Sequence, residues 1–139
     1  MKQRTILVLL LILSATFVLS CITSRDIHVE ISCEEFTENP TSIRNDFQIE
    51  VGDKIYIELC SNASTGFEWS YEMSVDNVIK EEGYDFEEPR SNMPGAAGIE
   101  IWTFEAIGQG TTVIDLKYSQ PWDGGIKGEW TYVINVVVD

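Results

Sequence analysis

Few residues of this chain have the chemistry for catalysis or metal binding. His28 is the single histidine among 139 residues, and it lies in a run predicted to be a strand near the N-terminus. That position leaves no histidine-based nucleophile pair and no multi-histidine metal site. The 23 Asp and Glu residues are scattered, and pairs such as 81–82 and 87–88 are typical of a solvated face. We predict no enzyme activity, no catalytic residue, no metal and no cofactor.

The short polar loop at residues 61–67 has the composition of a recognition loop. It is rich in small polar residues around Gly66, and it lies between residues 54–59 and 67–71, which alternate polar and apolar side chains. Such alternation is typical of half-buried strands. Rigid flanking strands hold a short loop with little disorder, as binding surfaces require. Taken alone, these residues are more simply explained as a connecting turn.

The rest of the chain indicates an all-β domain. Short runs with strand periodicity recur at near-regular spacing, and no stretch has a convincing amphipathic-helix pattern. We predict an immunoglobulin-like antiparallel β-sandwich of about seven strands, extending over about residues 26–139. The Cys–Trp–Cys arrangement of true immunoglobulin domains is absent.

Individual segments vary in how clearly they predict strands. Residues 99–106 carry apolar side chains on both faces, so we place them in the interior of a sheet. Residues 34–46 are polar without a clear period, and Pro40 excludes a central strand there, so we expect a short helical turn or a loop. The polar stretch after Tyr71 also lacks a regular period, until residues 83–87 predict a short strand.

Two further loops have an unusual composition. Residues 88–98 are rich in glycine and proline, and residues 119–128 contain Trp122 beside Pro121 and several glycines. In a sandwich of this topology, these loops and the loop at 61–67 are connections of the same parity. We therefore expect all three loops at one end of the domain, in the layout of a binding surface.

Together the three loops resemble those of the chagasin-type inhibitors of papain-like cysteine peptidases. Members of that family carry an Asn-Pro-Thr-Thr-Gly-Phe loop, a Gly-x-Gly-Gly loop and an Arg-Pro-Trp loop. The resemblance covers roughly residue 47 to the C-terminus, and three motifs in register are more specific than any one of them. The corresponding residues here are Asn62-Ala63-Ser64-Thr65-Gly66-Phe67, Gly95-Ala96-Ala97-Gly98 and Gln120-Pro121-Trp122.

Three positions depart from the family pattern. Ala63 stands in place of proline, which predicts a less rigid first loop. Ala97 stands in place of glycine, which is harmless only if the backbone there has a negative φ. Gln120 stands in place of arginine and removes a charged donor. Each departure predicts weaker binding.

The resemblance implies a reversible inhibitor that occludes the active-site cleft of a papain-like cysteine peptidase. It implies that the first loop crosses the catalytic cysteine, the second follows the cleft edge, and Trp122 packs beside the catalytic histidine as a hot spot. The alternative for Trp122 is a core residue or a lid over the sandwich end, and for the glycines ordinary turn chemistry. The residues implied in peptidase binding are Asn62, Ser64, Thr65, Gly66, Phe67, Gly95, Ala96, Ala97, Gly98, Gln120, Pro121 and Trp122.

The N-terminus has the features of an export signal. Lys2 and Arg4 precede a short apolar run, which ends in Val-Leu-Ser-Cys at Cys21 and resembles a lipoprotein lipobox. We expect residues 1–20 to be a signal peptide, and residues 21–46 to hold the lipidated cysteine and the first strand. Residues 47–139 then form the inhibitor domain. Lipidation would anchor the protein on the outer face of the cytoplasmic membrane. The alternatives are an ordinary signal peptide with a secreted product, or an uncleaved anchor.

The expected mature chain is strongly acidic. Removal of residues 1–20 leaves 7 basic and 23 acidic residues, a net charge of −16. Such a surface repels nucleic acid and anionic lipid headgroups, so we exclude a nucleic-acid partner. The charge also maintains solubility, and we expect a monomer.

Two cysteines remain after Cys21. In an exported chain, Cys33 and Cys60 are expected to form one disulfide beside the loop at 61–67. Two buried free thiols are the competing interpretation.

A carbohydrate-binding or adhesion module is the alternative function. Such a module needs two or more exposed aromatic rings on one face, whereas the strand pattern buries Trp69 and Trp102 and leaves Trp130 undecided. Calcium binding at Asp123 is a third possibility, but no calcium-loop motif surrounds it. The sequon that begins at Asn62 is expected to be unused, because a glycan would block the binding loop.

Overall fold

Eight strands and one short helix make up the domain. The computed structural model describes residues 25–38, 41–91 and 93–139. The predicted signal peptide and Cys21 lie outside the described residues. In chain order the elements are β1 (Ile27–Ile31), α1 (Cys33–Glu38), β2 (Ser42–Ile49), β3 (Lys54–Ser61), β4 (Glu68–Met73), β5 (Ile79–Glu87), β6 (Gly98–Ala106), β7 (Gly110–Ser119) and β8 (Trp130–Val138).

The strands form two four-stranded sheets that pack face to face. One sheet has the order β1-β3-β6-β5 and the other β2-β8-β7-β4. The predicted all-β sandwich is confirmed. The arrangement is not antiparallel throughout, because β1 pairs with β3 and β2 pairs with β8 in parallel. Parallel pairs need long connections. Here each connecting segment contributes at least one strand to the opposite sheet.

Alternating side chains of both sheets fill the core. On β6, β7 and β8 every second residue is buried over most of the strand, as expected for sheets with one face toward the core. The predicted interior position of β6 is confirmed, since it lies between β3 and β5. Burial of Trp69 and Trp102 is also confirmed, and Trp130 is buried with them.

Two strands are longer than the sequence predicted. Strand β2 already begins at Ser42, inside the segment 34–46 that was expected to be a helical turn or loop. Strand β5 begins at Ile79 and has nine residues rather than the short stretch 83–87. Both are edge strands with mostly exposed side chains, so neither carries the apolar alternation on which the prediction depended. A bulge between Glu81 and Gly83 further shifts the phase of β5.

A disulfide and an aromatic side chain attach α1 to the sandwich. Cys33 at the start of α1 is bonded to Cys60 on β3, as predicted, with a Cα–Cα distance of 4.9 Å. Phe36 stacks on Trp130, with ring centroids 4.5 Å apart. Among the described residues, no helix is both long and apolar enough to span a membrane.

Replacing Cys33 and Cys60 together by alanine tests the contribution of the disulfide. The bridge joins residues 27 positions apart, and closing such a loop in the unfolded chain is worth about 3 kcal/mol. We expect the free energy of unfolding to fall by about that amount, measured by equilibrium urea denaturation. Oxidised and reduced wild-type protein are the controls, and reduction should reproduce the effect. An unchanged free energy in the double variant would contradict this account.

Candidate functional site

Three loops meet at one end of the sandwich. The first loop (residues 62–67) joins β3 to β4, the second (88–97) joins β5 to β6, and the third (120–129) joins β7 to β8. Side chains connect them. The side-chain amide of Asn62 donates a hydrogen bond to the backbone carbonyl of Gly95 at 2.8 Å. The side-chain amide of Gln120 donates to the backbone carbonyl of Thr65 at 3.4 Å. The first loop therefore lies between the other two, and we call this end the loop end.

The first loop is a capped 3₁₀ turn. Residues 63–65 form the turn, and the side-chain oxygen of Asn62 accepts hydrogen bonds from the Ser64 amide (3.2 Å) and hydroxyl (2.6 Å). The Thr65 hydroxyl donates to the Asn62 carbonyl at 2.6 Å. These bonds satisfy the polar groups of the turn locally. They restrict the backbone around Ala63, where the proline of the family pattern is missing.

The first loop also packs against Trp122. Gly66 has φ +76°, and a Cβ at this position would overlap the indole carbons Cη2 and Cζ3 of Trp122. Glycine is thus required twice, by the left-handed backbone and by the close approach of the ring. The indole is 50% exposed, so Trp122 is not a core residue. One edge of the ring rests on the first loop, the indole nitrogen lies near Gly125, and half of the residue's surface remains exposed.

The third loop is held by Gln120 and Lys127. The backbone amide of Gln120 donates to the Ile126 carbonyl at 2.8 Å, and the backbone amide of Ile126 donates to the side-chain oxygen of Gln120 at 3.1 Å. The Lys127 ammonium donates to the carbonyls of Gln120 and Trp122, the latter at 3.1 Å. In the described ranges, the lysines that form salt bridges are Lys54, Lys80 and Lys117, whereas Lys127 bonds to backbone carbonyls. Lys127 thus supplies a positive charge to the loop that lacks the family arginine.

The second loop presents backbone and one apolar side chain. It turns through a hydrogen bond from the Ala96 amide to the Met93 carbonyl (3.1 Å), with Gly95 at φ +82°. Met93 is 71% exposed. Every described residue other than glycine has a negative φ, so Ala97 occupies its position without backbone strain.

Gly98 is not part of the exposed loop. It is the first residue of β6, is buried, and pairs with Ser61. A Cβ there would overlap the Glu87 carbonyl and the Phe86 ring. Its role is to let the end of β5 approach β6, and the surface of the second loop is formed by the residues before it.

Aromatic side chains support the first loop from below. The Tyr118 hydroxyl accepts a hydrogen bond from the backbone amide of Asn62 at 2.8 Å. The Trp69 indole donates to the Cys60 carbonyl at 3.0 Å. Phe67 is half-buried and stacks on Tyr118, with centroids 5.2 Å apart. Both ends of the first loop are therefore attached to the core, and Phe67 serves mainly as a support.

A buried carboxylate lies under the loops. Glu100 on β6 is 4% exposed and accepts hydrogen bonds from the Trp69 amide and the Tyr84 hydroxyl, each at 3.2 Å. Ser61 also hydrogen-bonds to it. Burial raises the pKa of Glu100 above its ordinary value, and the hydrogen bonds oppose that rise. Glu100 and Trp122 both line a cleft of about 390 Å³.

Comparison with known proteins now identifies the family. The sequence pattern of the chagasin family peptidase inhibitors, I42, matches residues 48–136. This chain belongs to the chagasin family. Membership confirms the resemblance seen in the three motifs, and it confirms the prediction of an inhibitor rather than an enzyme.

Relatives support the same assignment. Chagasin of Trypanosoma cruzi is 32% identical over 80 residues, which are 55% of this chain and 73% of chagasin. Amoebiasin-2 of Entamoeba histolytica is 33% identical over 91 residues, 65% of this chain and 74% of that protein. The crystal structure of EhICP2, a cysteine protease inhibitor from Entamoeba histolytica, has a TM-score of 0.65 at 25% identity, covering 84% of this chain and 100% of EhICP2.

A solved complex shares the fold. PbICP-C, whose structure was determined with falcipain-2, has a TM-score of 0.55 at 16% identity, covering 84% of this chain and 100% of PbICP-C. In this chagasin-family chain, the loop motifs recognised in the sequence come together at the loop end. Sequence reasoning missed Lys127, Glu100, Tyr118 and Met93.

The pH dependence of stability tests the burial of Glu100. Its pKa is raised in the folded state above the ordinary value of 4.5, so folding takes up a proton between the two pKa values. Wild-type protein should therefore lose stability relative to Glu100→Gln as the pH rises from about 4.5 through the raised folded-state pKa. Urea unfolding of both proteins across this range measures the difference.

Glu105→Gln is the matched control on the same strand. Hydrogen bonding and charge from Lys80 lower the pKa of Glu105, so wild-type protein should lose stability relative to this variant as the pH falls below about 4.5. The wild-type minus Glu105→Gln difference should therefore rise with pH below about 4.5 and stay flat above it, where the wild-type minus Glu100→Gln difference falls. A wild-type minus Glu100→Gln difference that is flat or rises with pH would contradict the account.

Proposed function

We propose that this chain inhibits papain-like cysteine peptidases reversibly, by inserting the three loops of its loop end into the active-site cleft. The observation that carries the proposal is the bridge from Asn62 to Gly95 beside the packing of Gly66 on Trp122. These contacts join the three family motifs into one surface before any partner is bound. A surface that is already ordered loses little entropy on binding.

The first loop is suited to block a peptidase without being cleaved. Its backbone is closed by hydrogen bonds from the Thr65 amide to the Asn62 carbonyl and from the Gly66 amide to the Ala63 carbonyl, at 3.0 and 3.1 Å. Cleavage requires a carbonyl carbon aligned with the attacking thiolate. To reach that geometry the turn would have to break its own bonds and leave its contacts with the second and third loops. Ser64, Thr65 and Gly66 would therefore occupy the cleft as an unproductive ligand.

The neighbouring loops supply contact area. The second loop offers Gly95, Ala96 and Ala97, whose small size lets the backbone approach the cleft edge closely. The third offers Trp122 with half its surface free, stiffened by Pro121 and the Lys127 bonds. Large aromatic side chains of this kind dominate binding energies when a partner buries them.

The charge distribution favours insertion of the first loop. Residues 62–67 carry no ionisable side chain, although the chain has a formal net charge of −14. Moving an unpaired charge into a closed cleft is costly. The uncharged loop avoids that cost, while the acidic body remains in solvent and maintains the protein as a soluble monomer.

We further propose export and lipidation of Cys21 after removal of residues 1–20. The disulfide between Cys33 and Cys60 supports the export part, because such bonds persist in oxidising compartments. The protein would be held on the outer face of the cytoplasmic membrane.

The structure gives little support to the carbohydrate-binding alternative. All four tryptophans lie in the described part of the chain, and three of them, Trp69, Trp102 and Trp130, are buried. Trp122 is the one tryptophan left exposed, so the platform of several tryptophans that this alternative proposed is absent. The sequon at Asn62 is also unsuited to a glycan, because its amide nitrogen is engaged with Gly95.

Trp122→Ala tests the proposal. Loss of a hot-spot tryptophan costs at least about 2 kcal/mol, so we expect the inhibition constant against papain to rise by about 30-fold or more. Steady-state inhibition assays with the domain from residue 22 onward measure it. Ile107→Ala is the matched control, since Ile107 is an exposed apolar residue at the opposite end of the sandwich, and it should inhibit as wild type does. Equal inhibition by wild type and Trp122→Ala would reject the role of Trp122, and no inhibition by folded wild type would reject the function.

A further inference from the structure

The described chain begins at the end of the sandwich opposite the loops. Strand β1 runs parallel to β3, and its first residue, Ile27, pairs with Ile55 near the start of that strand. The first loop follows the other end of β3, after Ser61. The Arg25 amide donates to the Asp53 carboxylate at 2.7 Å, in the turn between β2 and β3. We call this the opposite end; it comprises residues 50–53, 74–78 and 107–109.

The distance from Cys21 to the domain is short. Cys21 precedes Arg25 by four residues, and a fully extended chain covers at most about 3.5 Å per residue, or about 14 Å in all. The eight residues of β3 extend over about 23 Å, at roughly 3.3 Å per step. Acyl chains on Cys21 would thus insert within reach of the opposite end and away from the loop end.

The opposite end also carries exposed apolar side chains. Val51, Val75 and Ile107 are 47%, 40% and 41% exposed, and each lies in a different turn of that end. Two of these turns are adjacent, because the Gly52 amide donates to the Ala106 carbonyl at 2.8 Å. Single exposed apolar residues are ordinary. Three of them beside the point where a lipidated chain enters the domain fit shallow contact with a bilayer surface.

Charge at the opposite end selects the kind of bilayer. The ionisable residues within the opposite end are Glu50, Asp53 and Asp76, all of them acidic. Lys54 and Lys80 border that end and are engaged in salt bridges with Glu82 and Glu105, at 2.6 and 2.8 Å. Their positive charge is therefore largely neutralised, while the domain as a whole is acidic. Contact with a zwitterionic surface is favoured, and anionic headgroups would repel the domain.

We infer that the opposite end of the membrane-bound protein faces the bilayer. Val51, Val75 and Ile107 then lie toward a zwitterionic bilayer surface, and the three loops point away from it. The inference rests on the lipid anchor proposed above. Its consequence is that the inhibitor captures peptidases that approach from the surrounding medium. The lipid bilayer leaves the inhibitory surface uncovered.

Paramagnetic relaxation on lipid nanodiscs tests this orientation. The full chain is produced in cells that lipidate it, its mass is checked for modification at Cys21, and the ¹⁵N-labelled product is inserted into zwitterionic nanodiscs doped with a gadolinium-chelating lipid. We expect strong broadening of the amides of Val51, Val75 and Ile107, and at least about fivefold weaker relaxation at Ser64 and Trp122, since the effect falls steeply across the length of a strand. Equal broadening at both ends, or stronger broadening at the loops, would overturn the inference.

Inhibition assays separate this inference from the proposals beneath it. Membrane-bound protein should inhibit papain within about twofold of the soluble domain, and a loss of about tenfold or more would show that the bilayer covers the loops. An unmodified Cys21 would overturn the anchor and the orientation together, with inhibition by the soluble domain unaffected. Broadening confined to the opposite end, with no inhibition by the soluble domain, would support the orientation and reject the inhibitory function.

Discussion

The side chain of Asn62 is the interaction on which the binding surface depends. Its oxygen accepts two hydrogen bonds from Ser64 and closes the first loop, and its nitrogen donates to Gly95 and positions the second loop. Its backbone amide is engaged with Tyr118. One residue thereby determines the shape of a loop, its distance from the next loop and its attachment to the core. This explains how the first loop is ordered with alanine in the position where the family has proline.

The other supports of the site follow from the same requirement for order. Trp122 can rest on the first loop only because residue 66 is glycine. The third loop, in turn, depends on Lys127 for the carbonyls of Gln120 and Trp122. Desolvation of the buried Glu100 carboxylate lowers the stability of the fold. The carboxylate accepts a hydrogen bond from the backbone amide of Trp69 at the start of β4. The protein thus retains a buried carboxylate where it fixes the strand that leaves the first loop.

The central strands and the edge strand β4 could be predicted from the sequence, whereas the edge strands β2 and β5 could not be predicted over their full length. Residues 99–106, 111–118 and 130–138 alternate because one face of each meets the core. Strands β2 and β5 lie at sheet edges with mostly exposed side chains, so their amino acids carry little information about pairing. The parallel pairing of β1 with β3 and of β2 with β8 was also missed. The alternation within one strand does not show the direction of its partner.

The site was partly visible in the sequence. The three motifs identified the loops because their order and parity agree with the family. Glu100 shares the parity of Trp102 and Phe104, and a glutamate on the core-facing side of a strand was a signal of a buried, hydrogen-bonded carboxylate. Lys127 left no such signal, because its bonds go to backbone carbonyls whose positions depend on the folded third loop.

Transferred cross-saturation from unlabelled papain tests the central claim most directly. The domain from residue 22 onward is labelled with ²H and ¹⁵N, and the peptidase thiol is left free. The account predicts that signal loss is confined to amides of residues 62–67, 93–97 and 120–128, with the exposed faces of both sheets unaffected. Signal loss on a sheet face, with the three loops unchanged, would contradict it.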